Sequence, residues 1–93
     1  MRAAKTDSNQ YAIVDTFRKA GASVFVTSRT GKGFPDLVVG YRGTNLLVEV
    51  KSKRGKYTPD QVDFIRAFRG KVNTVRSCLQ AVELLNNIVE NKS

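Results

Sequence analysis

Two short apolar runs, Leu37-Val38-Val39-Gly40-Tyr41 and Leu46-Leu47-Val48-Glu49-Val50, stand on either side of Arg42-Gly43-Thr44-Asn45. Runs of this length and composition, parted by glycine and asparagine, predict two antiparallel strands, Leu37 to Tyr41 and Leu46 to Lys51, joined as a hairpin. Each strand carries an acid: Asp36 enters the first directly after Pro35, and Glu49 sits inside the second, two residues before Lys51. With the turn centred between Gly43 and Thr44, Asp36 falls opposite Lys51, and Val38 opposite Glu49. Asp36, Glu49 and Lys51 then share one face, while Leu37, Val39, Leu46, Val48 and Val50 share the other. In this register Asp36 and Glu49 are diagonal neighbours, roughly 7 Å apart at the backbone.

The rest of the chain supplies layers for that hairpin. Between Asp7 and Ala20 the residues Ile13, Val14 and Phe17, with Tyr11 and Ala20 at the margins, keep helical spacing, and Gly21 ends the helix. Ser23 to Thr27 reads as a strand and Ser28 to Gly33 as a loop. After the basic segment Lys51 to Tyr57, Thr58-Pro59-Asp60-Gln61 has capping-box spacing with proline at the first helical position, and Val62, Ile65 and Phe68 continue the stripe to Gly70. Val72 to Arg76 is a further strand. Ser77 caps a last helix whose apolar face is Leu79 or Val82, Leu85 and Ile88/Val89. The expected fold is α/β, an α+β mixed sheet flanked by helices in the order αβββαβα. Residues 1–6 are read as a flexible basic arm and 7–93 as one domain, since a chain of 93 residues buries only around 60% of its unfolded surface and cannot divide that between two cores.

Composition removes several chemistries. There is no histidine and only one cysteine, Cys78, so an internal disulfide, the usual zinc sites and Ser-His or Cys-His nucleophilic catalysis are excluded. Cys78 reads as a small packing residue. Sixteen Lys and Arg against eight Asp and Glu give a net charge of +8, which points to a polyanion, nucleic acid ahead of a membrane surface. No stretch approaches the roughly 20 apolar residues that span a bilayer, and no signal-peptide pattern precedes the first helix, so a soluble, cytoplasmic protein is expected.

Alternation such as Val48-Glu49-Val50-Lys51 also describes a hairpin with one wet face. Against that reading, Asp is depleted in strands, Pro35 fixes the backbone ahead of Asp36, and the charges gather on one face. Two neighbouring carboxylates repel unless a cation compensates. Mg²⁺ or Mn²⁺, hard ions bound by one or two carboxylates and water, would do so. Lys51 cannot ligate the ion while protonated, but it can stabilise an attacking hydroxide or a pentavalent phosphate.

At these residues the chain resembles a family. Pro35-Asp36 followed by Glu49-Val50-Lys51 looks like the PD-(D/E)xK nuclease signature. Gly33-Phe34-Pro35-Asp36-Leu37, Val48-Glu49-Val50-Lys51 and Tyr57-Thr58-x-x-Gln61 are similar, more narrowly, to the virus-type replication-repair nuclease (VRR-NUC) domain. The resemblance spans about Asp7 to Leu85. It implies a restriction-endonuclease-like core in which Asp36, Glu49 and the carbonyl of Val50 ligate the metal and Lys51 partners the attacking water. Gln61 matches the family's glutamine and would orient a water or Lys51; it could equally serve the capping-box contact to Thr58. The family often places a glutamate in the first helix. This chain has Gln10 at that position, so either an amide suffices there or Asp7 compensates.

Arg29 and Lys32 precede the acids, and Lys53, Arg54 and Lys56 follow them, so two basic loops should flank one end of the hairpin, where a phosphate backbone could pass. Tyr57 and Phe34 could stack on bases or anchor loops, and no base-reading pattern is present. Freestanding members of the family resemble Holliday-junction resolvases. The expectation is therefore a Mg²⁺- or Mn²⁺-dependent, structure-selective endonuclease of a bacterial cell or phage-infected host, acting as a homodimer on branched DNA such as a four-way junction. A flap- or end-directed nuclease with the same site, or a non-catalytic nucleic-acid-binding module, stands as the alternative.

Overall fold

The computed structural model describes residues 8–91, so the basic arm expected at 1–6, together with Asp7, lies outside the described residues. Ile13, Val14 and Phe17 project from one side of α1 (Ser8–Lys19) and are all buried. The helix closes in a Schellman motif: Gly21, at φ 98°, donates to the Arg18 carbonyl, and Ala22 donates to that of Phe17. Then come β1 (Ser23–Val26), β2 (Leu37–Tyr41), β3 (Thr44–Val50), α2 (Pro59–Ala67), β4 (Val72–Val75) and α3 (Cys78–Asn91). This is the αβββαβα order expected from the periodicities.

The strands form one mixed sheet in the order β1-β2-β3-β4. The first three are antiparallel, and β4 lies parallel to β3 after the α2 crossover. Period-two alternation puts Leu37, Val39, Val48 and Val50 on one face. There they meet Ile13 and Phe17 of α1 and Ala81 and Leu85 of α3 in a single core.

Two expectations need correction. The hairpin turn is Arg42-Gly43 alone, with φ of 50° and 79°, so β3 begins at Thr44 rather than Leu46. Two successive left-handed residues make a type I′ turn, whose twist matches the flanking strands, and Tyr41 pairs with Thr44. The second correction concerns α3. Ser77 caps it, its hydroxyl accepting from the Gln80 N–H at 3.1 Å, but Leu79, Val82 and Val89 are exposed. The buried side is Ala81 and Leu85, with Cys78, Leu84 and Ile88 packed against the core. Leu85 and Ile88 stand as expected, while in the turn before them Cys78 and Ala81 take the inward positions in place of Leu79 or Val82.

On the far side of the loop before β2, α2 begins with Thr58 as N-cap. The Thr58 hydroxyl accepts from the Gln61 N–H and the Gln61 side chain accepts from the Thr58 N–H. Gly33 sets the distance between loop and helix. It has φ 80°, and a Cβ added there would lie 2.1 Å from the Asp60 carbonyl oxygen. Phe34 then packs edge-on against Phe64 of α2, ring centroids 5.4 Å apart. The loop that delivers Pro35 and Asp36 is thus seated directly on the first turn of α2. Gly33→Ala combines a strained φ with a backbone clash and should lower unfolding free energy by about 2 kcal/mol or more. Urea denaturation measures this, and an unchanged midpoint would mean that loop and helix separate without cost.

Candidate active site

The ladder that pairs Leu37 with Val48 brings Asp36, one residue further out, level with Glu49. Asp36 is therefore not opposite Lys51, as the four-residue turn implied. The shorter turn slides one strand by two residues, and because side chains alternate with period two, Asp36, Glu49 and Lys51 keep their common face. The slip converts a diagonal pair of acids into a directly opposed one. Asp36 is fixed on both sides: its carbonyl accepts from the Thr27 N–H at 2.7 Å, and its Oδ2 accepts from the Val50 N–H at 2.9 Å.

Glu49 is only 1% exposed, and among the described residues neither carboxylate oxygen has a hydrogen-bond partner. The nearest compensating charge is the Lys51 ammonium, 3.9 Å from Oε2. Burial, reinforced by the neighbouring Asp36 charge and only partly offset by Lys51, pushes the Glu49 carboxyl up to about 7. Lys51 itself is largely covered. Its Nζ lies 5.8 Å from the centroid of the Tyr57 ring, and the Tyr57 hydroxyl bonds to that of Thr74. The main chain of Lys51 is held at both ends, the N–H by the Val75 carbonyl at 3.1 Å and the carbonyl by the Asn9 amide at 3.0 Å.

A buried carboxylate with two idle oxygens is costly unless a cation satisfies it. The described residues contain no group of three or more His, Cys, Asp or Glu, so the protein would contribute two carboxylates. That donor set fits a hard divalent ion, which takes its remaining ligands from water and carbonyl oxygen, and it does not fit zinc.

The remaining candidates occupy the following positions. Val50 is buried, with its N–H already given to Asp36. Gln10 is buried in the first turn of α1, next to Asn9, and lines a groove of about 560 Å³ together with Tyr11, Arg18, Ser28 and Arg29. Gln61 is engaged in the capping box through its carbonyl oxygen, which leaves its amide nitrogen as the donor that could face the site. Arg29 and Lys32 are exposed on the loop entering Asp36, and Lys53, Arg54 and Lys56 are exposed on the loop leaving β3. Phe34 anchors its loop on α2. Sequence reasoning passed over Asn9 and Arg76, whose hydrogen bonds tie α1 and the end of β4 to the segment after Glu49. No local pattern marks either residue, because their partners are 21 to 67 positions away.

Residues 2–81 match the VRR-NUC domain family, a span that includes both acids, Lys51, Gln61 and Arg76. The chain belongs to that family. A solved structure of a VRR-NUC domain is 32% identical, with a TM-score of 0.66 over 83% of this chain and 89% of that one. No curated protein matches. Membership in the VRR-NUC family implies a nuclease of the PD-(D/E)xK type, and the mixed sheet flanked by helices agrees with that fold.

The raised Glu49 carboxyl has a definite effect on stability in EDTA. The unfolded chain releases this proton near pH 4.5 and the folded protein near pH 7, so between those values the folded state binds more protons. Stability should therefore fall as pH rises through that window, by on the order of 3 kcal/mol, and level off above it. Glu49→Gln should flatten this part of the profile in chemical denaturation from pH 4 to 8. An identical slope in that variant would assign the titration to another group.

Proposed function

We propose that the protein is a divalent-metal-dependent, structure-selective DNA endonuclease that acts as a homodimer on four-way junctions. The observation that carries the catalytic part is the buried Glu49 carboxylate, without a hydrogen bond, level with Asp36 and 3.9 Å from the Lys51 ammonium. A solvated strand face gives no reason to bury that charge, and a module that only binds nucleic acid gives none either.

Asp36, Glu49 and the Val50 carbonyl would hold Mg²⁺ or Mn²⁺, which supplies Lewis-acid stabilisation of phosphate charge and acidifies water when bound. The Val50 N–H keeps Asp36 Oδ2 in a fixed direction, so this carboxylate needs little reorganisation. Lys51, steadied over the Tyr57 ring, places a positive charge where the attacking oxygen and the pentavalent phosphate build up negative charge. Gln10 and the amide nitrogen of Gln61 orient water at the edge of the site. Arg29 and Lys32 on one loop, with Lys53, Arg54 and Lys56 on the other, take the phosphates on either side of the scissile bond.

Asp36→Asn and Glu49→Gln should each abolish cleavage while leaving DNA binding intact or tighter, because a carboxylate is removed and every basic loop is retained. Lys51→Ala should lower turnover about a hundredfold or more, with little change in metal affinity. Mg²⁺ or Mn²⁺ should raise the thermal midpoint of the wild type at pH 7.5 and have much less effect on Glu49→Gln. Wild-type cleavage in any of the three variants would remove that residue from the site. Gln10→Glu adds a charge where the family often has one, and an altered Mg²⁺ to Mn²⁺ preference would place Gln10 beside the ion.

The junction reading rests on geometry and on the family resemblance. Resolution needs two opposed incisions, each chain supplies one site, and a two-fold dimer matches the symmetry of the substrate. The outer strand β1, with Phe25 and Val26 exposed, offers an apolar surface for a second copy. Cleavage of matched linear, flap and four-way DNA, together with sedimentation at micromolar concentration, tests it. A dimer preferring the junction is expected, with affinity falling steeply in salt. A single-chain mass or a preference for flaps would favour the end-directed nuclease, which keeps the same catalytic residues.

A further inference from the structure

The loop between β3 and α2 carries Lys53, Arg54 and Lys56 on exposed positions, yet its main chain is turned inward. One nitrogen of the Arg76 guanidinium donates to the carbonyls of Ser52 at 2.8 Å and Gly55 at 2.8 Å, and lies 3.5 Å from that of Lys53. Gly55 closes the turn by donating to Ser52 at 3.1 Å. Arg76 is itself anchored, its N–H donating to the Gln80 side chain at 2.7 Å and its carbonyl accepting from Asn9 at 3.2 Å. The same Asn9 amide holds the Lys51 carbonyl.

This arrangement matters electrostatically. Loop carbonyls are partial negative charges that would repel an approaching phosphate, and an unsupported basic loop would lose side-chain and backbone entropy on binding. The two N–H groups of that one terminal nitrogen meet the Ser52 and Gly55 carbonyls, and the ammonium of a lysine, on a side chain one bond shorter, falls short of that point.

We propose that Arg76, anchored by Asn9, is a positioning residue that pre-forms the loop 51–57 as a phosphate-binding element and acts through Lys53, Arg54 and Lys56 rather than touching DNA. This rests on the nuclease reading and adds to it the residue that organises the substrate surface.

The test compares wild type, Arg76→Gln, Arg76→Lys, the triple variant Lys53→Ala/Arg54→Ala/Lys56→Ala, and the triple variant combined with Arg76→Gln. Fluorescence anisotropy with a labelled DNA duplex in EDTA, over a series of salt concentrations, gives affinity and its salt slope. Both Arg76 variants should lose about tenfold or more in affinity, and the slope should shrink by more than the ~0.9 expected for one lost phosphate contact. The combined variant should bind no worse than the triple variant, since the loop's cations are what Arg76 acts through. In Mg²⁺, KM should rise with kcat within about threefold of wild type. Should Arg76→Gln fail to fold, Arg76→Lys keeps the charge but not the reach to the Ser52 and Gly55 carbonyls and decides the matter alone. Wild-type affinity in Arg76→Lys, or losses that add to those of the triple variant with a slope change near 0.9, would overturn the proposal and make Arg76 at most a point charge on DNA. A wild type without affinity for DNA would defeat the nuclease reading itself, a result distinct from both.

Discussion

The pairing of β2 with β3 across the two-residue turn Arg42-Gly43 is the constraint on which the rest of this structure depends. It fixes Leu37 against Val48 and so brings Asp36 level with Glu49 at the end of the hairpin. Elements both before and after it in the chain are tied to that end. The parallel strand β4 arrives beside β3 and gives the Val75 carbonyl to the Lys51 N–H. Helix α1 gives the Asn9 amide to the Lys51 carbonyl, and the first turn of α2 seats the loop that delivers Asp36. A one-residue slip of either strand against the other would turn that strand's acid into the apolar core and its aliphatic row to solvent.

The end of the hairpin that carries the two acids is also the electrostatically expensive end. A carboxylate with idle oxygens, buried beside another acid, opposes folding at neutral pH, and a single ammonium 3.9 Å away does not offset it fully. Such a site persists because the surrounding core holds it, here Val48 and Val50 on the other face of the same strand. In the proposed nuclease that cost would prepare the site, since Glu49 is desolvated and Asp36 held in direction by the Val50 N–H before any cation binds. A small nuclease domain with little core to spare therefore concentrates its strain in one strand and its polar support in two residues, Asn9 and Arg76.

The basic residues show a division of labour that net charge hides. Arg76 turns inward onto carbonyls, Arg18 donates to the Val24 carbonyl, and Lys19 pairs with Asp15. Arg29, Lys32, Lys53, Arg54 and Lys56 are exposed, on the loops before β2 and after β3. A count of +8 sums cations that shape the protein with cations left exposed to solvent.

Much of this was legible in the sequence, and the physical reason is periodicity. Alternation of two fixes which face a residue occupies whatever the exact register, so Asp36, Glu49 and Lys51 are placed together even when the turn is read two residues too long. Helical spacing fixes Ile13, Val14 and Phe17 as a buried stripe, and Thr58 to Gln61 announces its own cap. The family signature is legible for the same reason, since its residues lie close together along the chain. What needed the tertiary structure was every quantity set by distant segments arriving at one place. The choice of a two-residue turn reflects the twist of the whole hairpin rather than the four residues between the apolar runs. The buried side of α3 depends on the shape of α1 and the sheet beneath it, which selected Ala81 over Leu79 or Val82. Glu49 is buried without a hydrogen bond, and Asn9 and Arg76 brace the loop, only because α1, β3 and β4 converge. Local sequence encodes direction and face, whereas burial and long-range hydrogen bonds exist only once the chain has closed on itself.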